Sequence, residues 1–175
     1  MHIGIFGLSG SGKTTLTSRL GRSHKRFVMI SASLLIKNRG GVVQYDELGR
    51  QRVVSNQSVL VDAYKEFKVV HHDTMIELHS IIESEEGVIE IEPQILRGLE
   101  LDLAFFLKLD PCLLSERRVL DLTKKRKLSN ALELKYLQER AIEICQVALG
   151  KKLTIVDGEQ AFRDIEDALS HKLIG

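Results

Sequence analysis

The stretch Gly7-Leu8-Ser9-Gly10-Ser11-Gly12-Lys13-Thr14 constrains this chain more than any other. It fits the spacing G-x-x-x-x-G-K-[ST]. The apolar run His2-Ile3-Gly4-Ile5-Phe6 precedes it and predicts a buried strand. Thr14-Thr15-Leu16-Thr17-Ser18-Arg19-Leu20 follows it and predicts the first turns of a helix. Strand, glycine-rich loop and helix in that order build a phosphate cradle. The glycines let successive backbone N–H groups turn inward around an anion, and the helix N-terminus adds its positive dipole end. In such a loop Ser9, Gly10, Ser11, Gly12 and Thr15 line the phosphates, Lys13 reaches the β- and γ-phosphates, and the Thr14 hydroxyl ligates Mg²⁺. The expected ligand is a nucleoside triphosphate, ATP, with Mg²⁺.

The rest of the chain extends the same architecture. Further apolar runs fall at Phe27-Val28-Met29-Ile30, Thr74-Met75-Ile76-Glu77-Leu78, Leu103 to Leu109 and Leu153-Thr154-Ile155-Val156. Helical patterns separate them, at about 112–122, 130–149 and 159–173 after the fourth-strand region begins. Near-continuous apolar strands alternating with helices predict a parallel sheet covered on both faces. The expected fold is therefore an α/β P-loop NTPase fold of three layers, a five-stranded parallel sheet between helices. In helix 130–149, Leu132, Leu134, Tyr136, Leu137, Ile142, Ile144 and Val147 predict a broad apolar face. Pro93 and Pro111 stand where helices begin, and Asp110 before Pro111 predicts an N-cap. The chain of 175 residues reads as one domain.

Residues 31–70 break this rhythm. They form a long, mostly helical crossover carrying Lys37-Asn38-Arg39-Gly40-Gly41 and Asp46-Glu47-Leu48-Gly49-Arg50. So long a connection marks a functional insertion, here expected to hold the second substrate.

A net charge of +1 argues against a dedicated nucleic-acid or membrane-surface binder. No apolar run is long enough to span a bilayer, and the first strand begins too early for a signal peptide to precede it. Cys112 and Cys145, each in an apolar helical pattern, read as buried thiols of a reducing, cytoplasmic compartment. The sequence leaves a homo-oligomer open.

Three further constellations carry chemistry. Glu77, ending a sheet strand beside the loop, can hold Mg²⁺ directly or through a water, or act as general base for a hydroxyl acceptor. His79 follows it, as a substrate contact or a packing residue. The run Arg117-Arg118-Val119-Leu120-Asp121-Leu122-Thr123-Lys124-Lys125-Arg126-Lys127 offers cations for a transferring phosphoryl group, a solvated helix face, or a nucleic-acid contact. Asp157-Gly158 reads as a strand-to-helix turn or a wall against the nucleotide base. His71 and His72 have no convincing ligand spacing.

On these residues the chain resembles the nucleoside monophosphate kinases, most of all the archaeal-type adenylate kinases. The P-loop, Ser31-Ala32-Ser33, Glu77-Leu78-His79, the Gly87-to-Pro93 spacing and Arg117-Arg118-x-x-Asp121-x-Thr123-x-x-Arg126 carry the resemblance. It implies phosphoryl transfer from ATP to a nucleotide acceptor, AMP first. It implies a short lid at about 117–128 with Arg117, Arg118 and Arg126 clamping phosphates beside Lys13. It places Ser33, Arg39, Arg50 and His79 at the acceptor, and Thr14 and Glu77 at the metal. Three features depart from the family pattern. Glu77 stands for Asp, Gly49 for an arginine, and Ser80 to Glu86 forms an unusually acidic loop. Two other readings stay open. One is a kinase of another small molecule, such as a nucleoside. The other is a regulatory P-loop ATPase acting through a protein or RNA partner.

Overall fold

The computed structural model describes residues 1–121 and 129–174. In chain order its main elements are β1 (His2–Phe6), α1 (Lys13–Ser23), β2 (Val28–Ser31), α2 (Ala32–Asn38), α3 (Arg50–Val70), β3 (Thr74–Glu77), β4 (Ile81–Ser84) and β5 (Gly87–Glu90). They continue with α4 (Pro93–Gly98), β6 (Leu103–Lys108), α5 (Pro111–Leu120), α6 (Ala131–Leu149), β7 (Leu153–Asp157) and α7 (Ala161–Ile174).

Five strands pair in parallel in the order β2-β3-β1-β6-β7. The expected parallel sheet is present, with helices on both faces. Alternation explains why the strands read as continuous apolar runs. Ile3 and Ile5 of β1 face α1 and α7, in a cluster with Leu16, Leu20, Ile165 and Leu169. Phe6 faces the other way, with Ile76, Ala104 and Phe106, toward α3, α4 and α6. Both faces are dry, so both positions of the strand period favour apolar residues. At Gly4 a methyl would lie 2.6 Å from Leu101 Cδ1, so a larger residue would force the neighbouring buried side chains to shift.

The helix ends follow their local chemistry. Pro93 and Pro111 open α4 and α5, where a missing N–H costs nothing. Asp110 Oδ1 accepts from the N–H groups of Cys112 and Leu113, the predicted cap. Asn130 and Glu133 cap α6 reciprocally. No helix among the described residues is long and apolar enough to cross a membrane.

Three local expectations are corrected. The acidic loop is a hairpin: β4 and β5 pair antiparallel as a separate two-stranded sheet, and Gly87 turns between them at φ +114°. The apolar face of α6 is narrower than predicted. Leu132, Tyr136 and Val147 are exposed, while Leu134, Ile142 and Ile144 pack inward. Cys112 is also exposed, because the second position of α5 points outward; Cys145 is buried as expected, and burial pushes its thiol up to about 12.

Candidate active site

The chain leaves β1 toward β2 on one side, while β3 feeds β6 on the other. The crevice between β1 and β3 is therefore the switch point where ligands of open α/β sheets bind. Residues 7–14 fill the β1 side of it. Gly7, Gly10 and Gly12 have φ of +152°, +86° and +95°, values that a side chain would strain. Leu16 N–H bonds back to Gly12 O, so α1 starts directly out of the loop. Ser11 Oγ is buried with no hydrogen-bond partner among the described residues. A buried orphan hydroxyl in a ring of backbone amides fits an anion. Lys13 is buried, and its Nζ donates to the carbonyls of Gly7 (2.7 Å) and Leu8 (3.0 Å). Its ammonium is thereby stored against the loop that would receive the phosphates. Thr15 is exposed at the first turn of α1.

The register sets Glu77 beside this loop. As the last residue of β3 it pairs with Ile5 of β1, and Leu78 N–H donates to Ile5 O at 2.9 Å. Its two oxygens each accept a hydroxyl proton: Oε2 from Thr14 at 2.8 Å and Oε1 from Thr17 at 2.6 Å. A hydroxyl and a carboxylate side by side are hard oxygen donors, and they fit a magnesium ion that keeps its remaining positions for water and phosphate. Thr17 was not anticipated. Its spacing of one turn from Thr14 was the available signal.

Opposite the loop lies a cleft of about 650 Å³. Its walls come from four segments: α2, the turn Tyr45–Glu47, α3, and the β3 end with the β4–β5 hairpin and α4. Ile36, Val53, Leu60 and Ile95 make it mainly apolar, and Asn56 and Gln57 add amides. Ser33 and His79, both predicted, line it. So does Ser9 of the P-loop, which makes the cleft open onto the phosphate cradle.

Not every predicted residue meets here. Arg39 pairs with Glu66 of α3, and Arg50 is exposed, its backbone N–H donating 2.9 Å to Glu86 Oε2 of the hairpin turn; neither lines the cleft. The reason is local: Arg39 caps the C-terminus of α2, and Arg50 opens α3 immediately after Gly49. Lys37 is the one cation lining the cleft among the described residues. Arg117 lies over the loop, its Nη1 3.4 Å from where a Cβ on Gly12 would be. Arg118 is buried and pairs with Glu83 of the hairpin. Arg126, with the run from Leu122 to Leu128, lies outside the described residues. Asp157 Oδ1 accepts from Glu159 N–H, which makes Asp157-Gly158 a strand-to-helix turn.

Comparison with known proteins agrees with this geometry. No protein of curated function matches the sequence significantly. Among solved structures, a shikimate kinase from Aquifex aeolicus is 17% identical with a TM-score of 0.58, covering 100% of this chain and 99% of that one. A shikimate kinase from Bacteroides thetaiotaomicron is 15% identical with a TM-score of 0.60, covering 97% of this chain and 98% of that one. A Janibacter sugar kinase is 17% identical with a TM-score of 0.57, covering 97% and 92%. Identities this low speak for the fold alone. The sequence itself matches the AAA domain family over residues 6–135. This chain belongs to that AAA domain family of P-loop proteins, built on the fold of the P-loop kinases.

Proposed function

We propose that this protein is an ATP-dependent phosphotransferase whose acceptor occupies the cleft beside Ser9. The observation that carries this reading is the shared wall. Ser9 belongs to the phosphate loop and also lines the cleft, so an acceptor there faces the γ-phosphate. Magnesium, held by Thr14 and Glu77, would neutralise charge on the phosphates. Lys13 would leave the Gly7 and Leu8 carbonyls and follow the transferring group. Arg117 would neutralise the non-bridging oxygens from above Gly12, joined by Arg126 from the lid segment at about 117–128. Catalysis is then positioning and charge neutralisation, with the insertion at about 31–70 as the acceptor module.

AMP is the first acceptor proposed. The family resemblance supports it, and so do apolar walls with the Asn56 and Gln57 amides among them, which suit a purine. A phosphate-bearing acceptor needs no general base, because its oxygen is already anionic. One observation favours a second reading. With Arg39 and Arg50 outside the cleft, only Lys37 stands ready for an acceptor phosphate among the described residues. An uncharged hydroxyl acceptor would instead take its base from Asp46 or His79 of the cleft wall, or from Glu77, which is hydrogen-bonded to Thr14 and Thr17.

Steady-state ADP formation from Mg-ATP, with a panel of nucleoside monophosphates, nucleosides and small polyols, separates these. Stimulation by AMP, with an acceptor KM that rises about tenfold in Lys37→Ala, supports the first. Stimulation by an unphosphorylated acceptor, abolished by Asp46→Asn and indifferent to Lys37→Ala, supports the second. ADP formation that ignores every acceptor contradicts both and points to a partner-regulated ATPase.

A further inference from the structure

Arg117 and Arg118 are neighbours on the last turn of α5, yet a step of roughly 100° along a helix sends them to different places. Arg117 lies over Gly12. Arg118 goes inward, its side chain only 1% exposed. Its Nε donates to the carbonyl of Ser9 at 2.9 Å. Its Nη1 and Nη2 donate to Glu83 Oε1 and Oε2 at 2.9 and 2.7 Å. A single guanidinium thus joins the phosphate loop to a carboxylate on the hairpin, and both Ser9 and Glu83 line the acceptor cleft.

The hairpin does not belong to the main sheet, and its ladder joins only β4 to β5, though Ile81 and Ile89 pack it into the core. Other contacts fasten its rim. Glu86 caps the start of α3, and Glu90 pairs with Arg140 of α6 in an exposed bridge worth little by itself. The Arg118 pair is bidentate like the Arg140 pair, but it differs in being nearly dry. It also acts on the loop. In a planar trans peptide the C=O and the next N–H point in opposite directions. Holding the Ser9 carbonyl toward Arg118 therefore aims the Gly10 N–H away from Arg118.

We propose that Arg118 and Glu83 form a buried positioning pair that sets the acceptor cleft's wall against the phosphate loop, with Arg118 itself touching neither substrate. The proposal rests on the phosphotransferase reading for its kinetic consequence. It gives Arg118 a role distinct from the phosphate clamp implied by the family resemblance. Were Arg118 to swing to a phosphate, it would leave Glu83 charged, 11% exposed and unpaired by it.

Glu83→Gln tests this, because it keeps the shape and removes the charge. With the acceptor found by the panel above, a positioning pair predicts that acceptor KM rises about tenfold and kcat falls, while the KM for ATP stays within about twofold. Arg118→Lys, which keeps charge but loses the fork, should fall between. A clamp predicts the reverse for Glu83→Gln: the freed Arg118 leaves acceptor KM unchanged and kcat equal or higher, which would overturn the proposal. Amide hydrogen exchange on the protein alone gives a readout independent of turnover. Faster exchange in both residues 81–90 and residues 7–12 of the Glu83→Gln variant supports the pair, and faster exchange in the hairpin with an unchanged phosphate loop overturns it. A wild-type protein that phosphorylates no acceptor sinks the phosphotransferase reading, and the exchange result still decides the pairing.

Discussion

The two halves of the site are built in opposite ways. The phosphate side is eight contiguous residues whose backbone does the work, with one lysine, one hydroxyl and one carboxylate added. The acceptor side is a cleft walled by four separated segments, mainly apolar, with no arginine in its lining among the described residues. The first arrangement suits a phosphate group, and a short motif suffices to build it. The second can change its occupant by changing any one wall. Phosphate chemistry is thus written in a loop, while choice of acceptor is spread over a surface.

Perturbations on each side should separate cleanly. The largest effect is expected on the phosphate side. Lys13→Ala should lower the transfer rate by about 100–1,000-fold with the fold intact, as seen by circular dichroism. Glu77→Gln comes next. It should weaken magnesium about 10–100-fold, and added magnesium should recover part of the rate. If Glu77 were the base for a hydroxyl acceptor, magnesium would recover nothing.

On the cleft side, Gln57→Leu should raise the KM of the acceptor about tenfold and leave the KM of ATP alone. Equal effects on both substrates would break the division into two halves. A thiol reagent offers a milder check on packing: Cys112 should label in the native protein and Cys145 only after unfolding.

The smallest effect is expected at the far end of the sheet. Hydrogen bonding to Arg26, with the N-terminal amine, holds Asp73 down to about 2, below its ordinary 3.8. A depressed carboxyl stabilises the fold above its unfolded value and loses that contribution as the pH falls through its folded one. Arg26→Gln should therefore be slightly less stable than wild type near neutrality, in urea unfolding. That gap should close as the pH falls from about 4 toward 2. Transfer kinetics should be untouched.

This division also governs what the sequence revealed. The P-loop was legible because its residues are adjacent and their spacing is fixed by backbone geometry. The strands were legible because Ile3, Ile5, Met75 and Phe105 are dry on one face and Phe6, Ile76 and Phe106 on the other. The hairpin was not. Its acids read as an unusually acidic loop because their partners, Arg118, Arg140 and the start of α3, lie tens of residues away. Arg39 and Arg50 were expected at the acceptor because charge type is visible in a sequence and direction is not. Helix ends decided their directions. Leu132, Tyr136 and Val147 show the same limit on α6, where apolar identity alone does not choose the buried stripe.

The fate of the γ-phosphate tests the central claim most directly. Phosphorus NMR of Mg-ATP turned over with the best acceptor of the panel should show a new phosphorylated acceptor appearing in step with ADP, without matching free phosphate. For AMP the product is a second ADP, so two ADP should appear for each ATP consumed. Inorganic phosphate rising one-for-one with ADP, whichever acceptor is present, would contradict it.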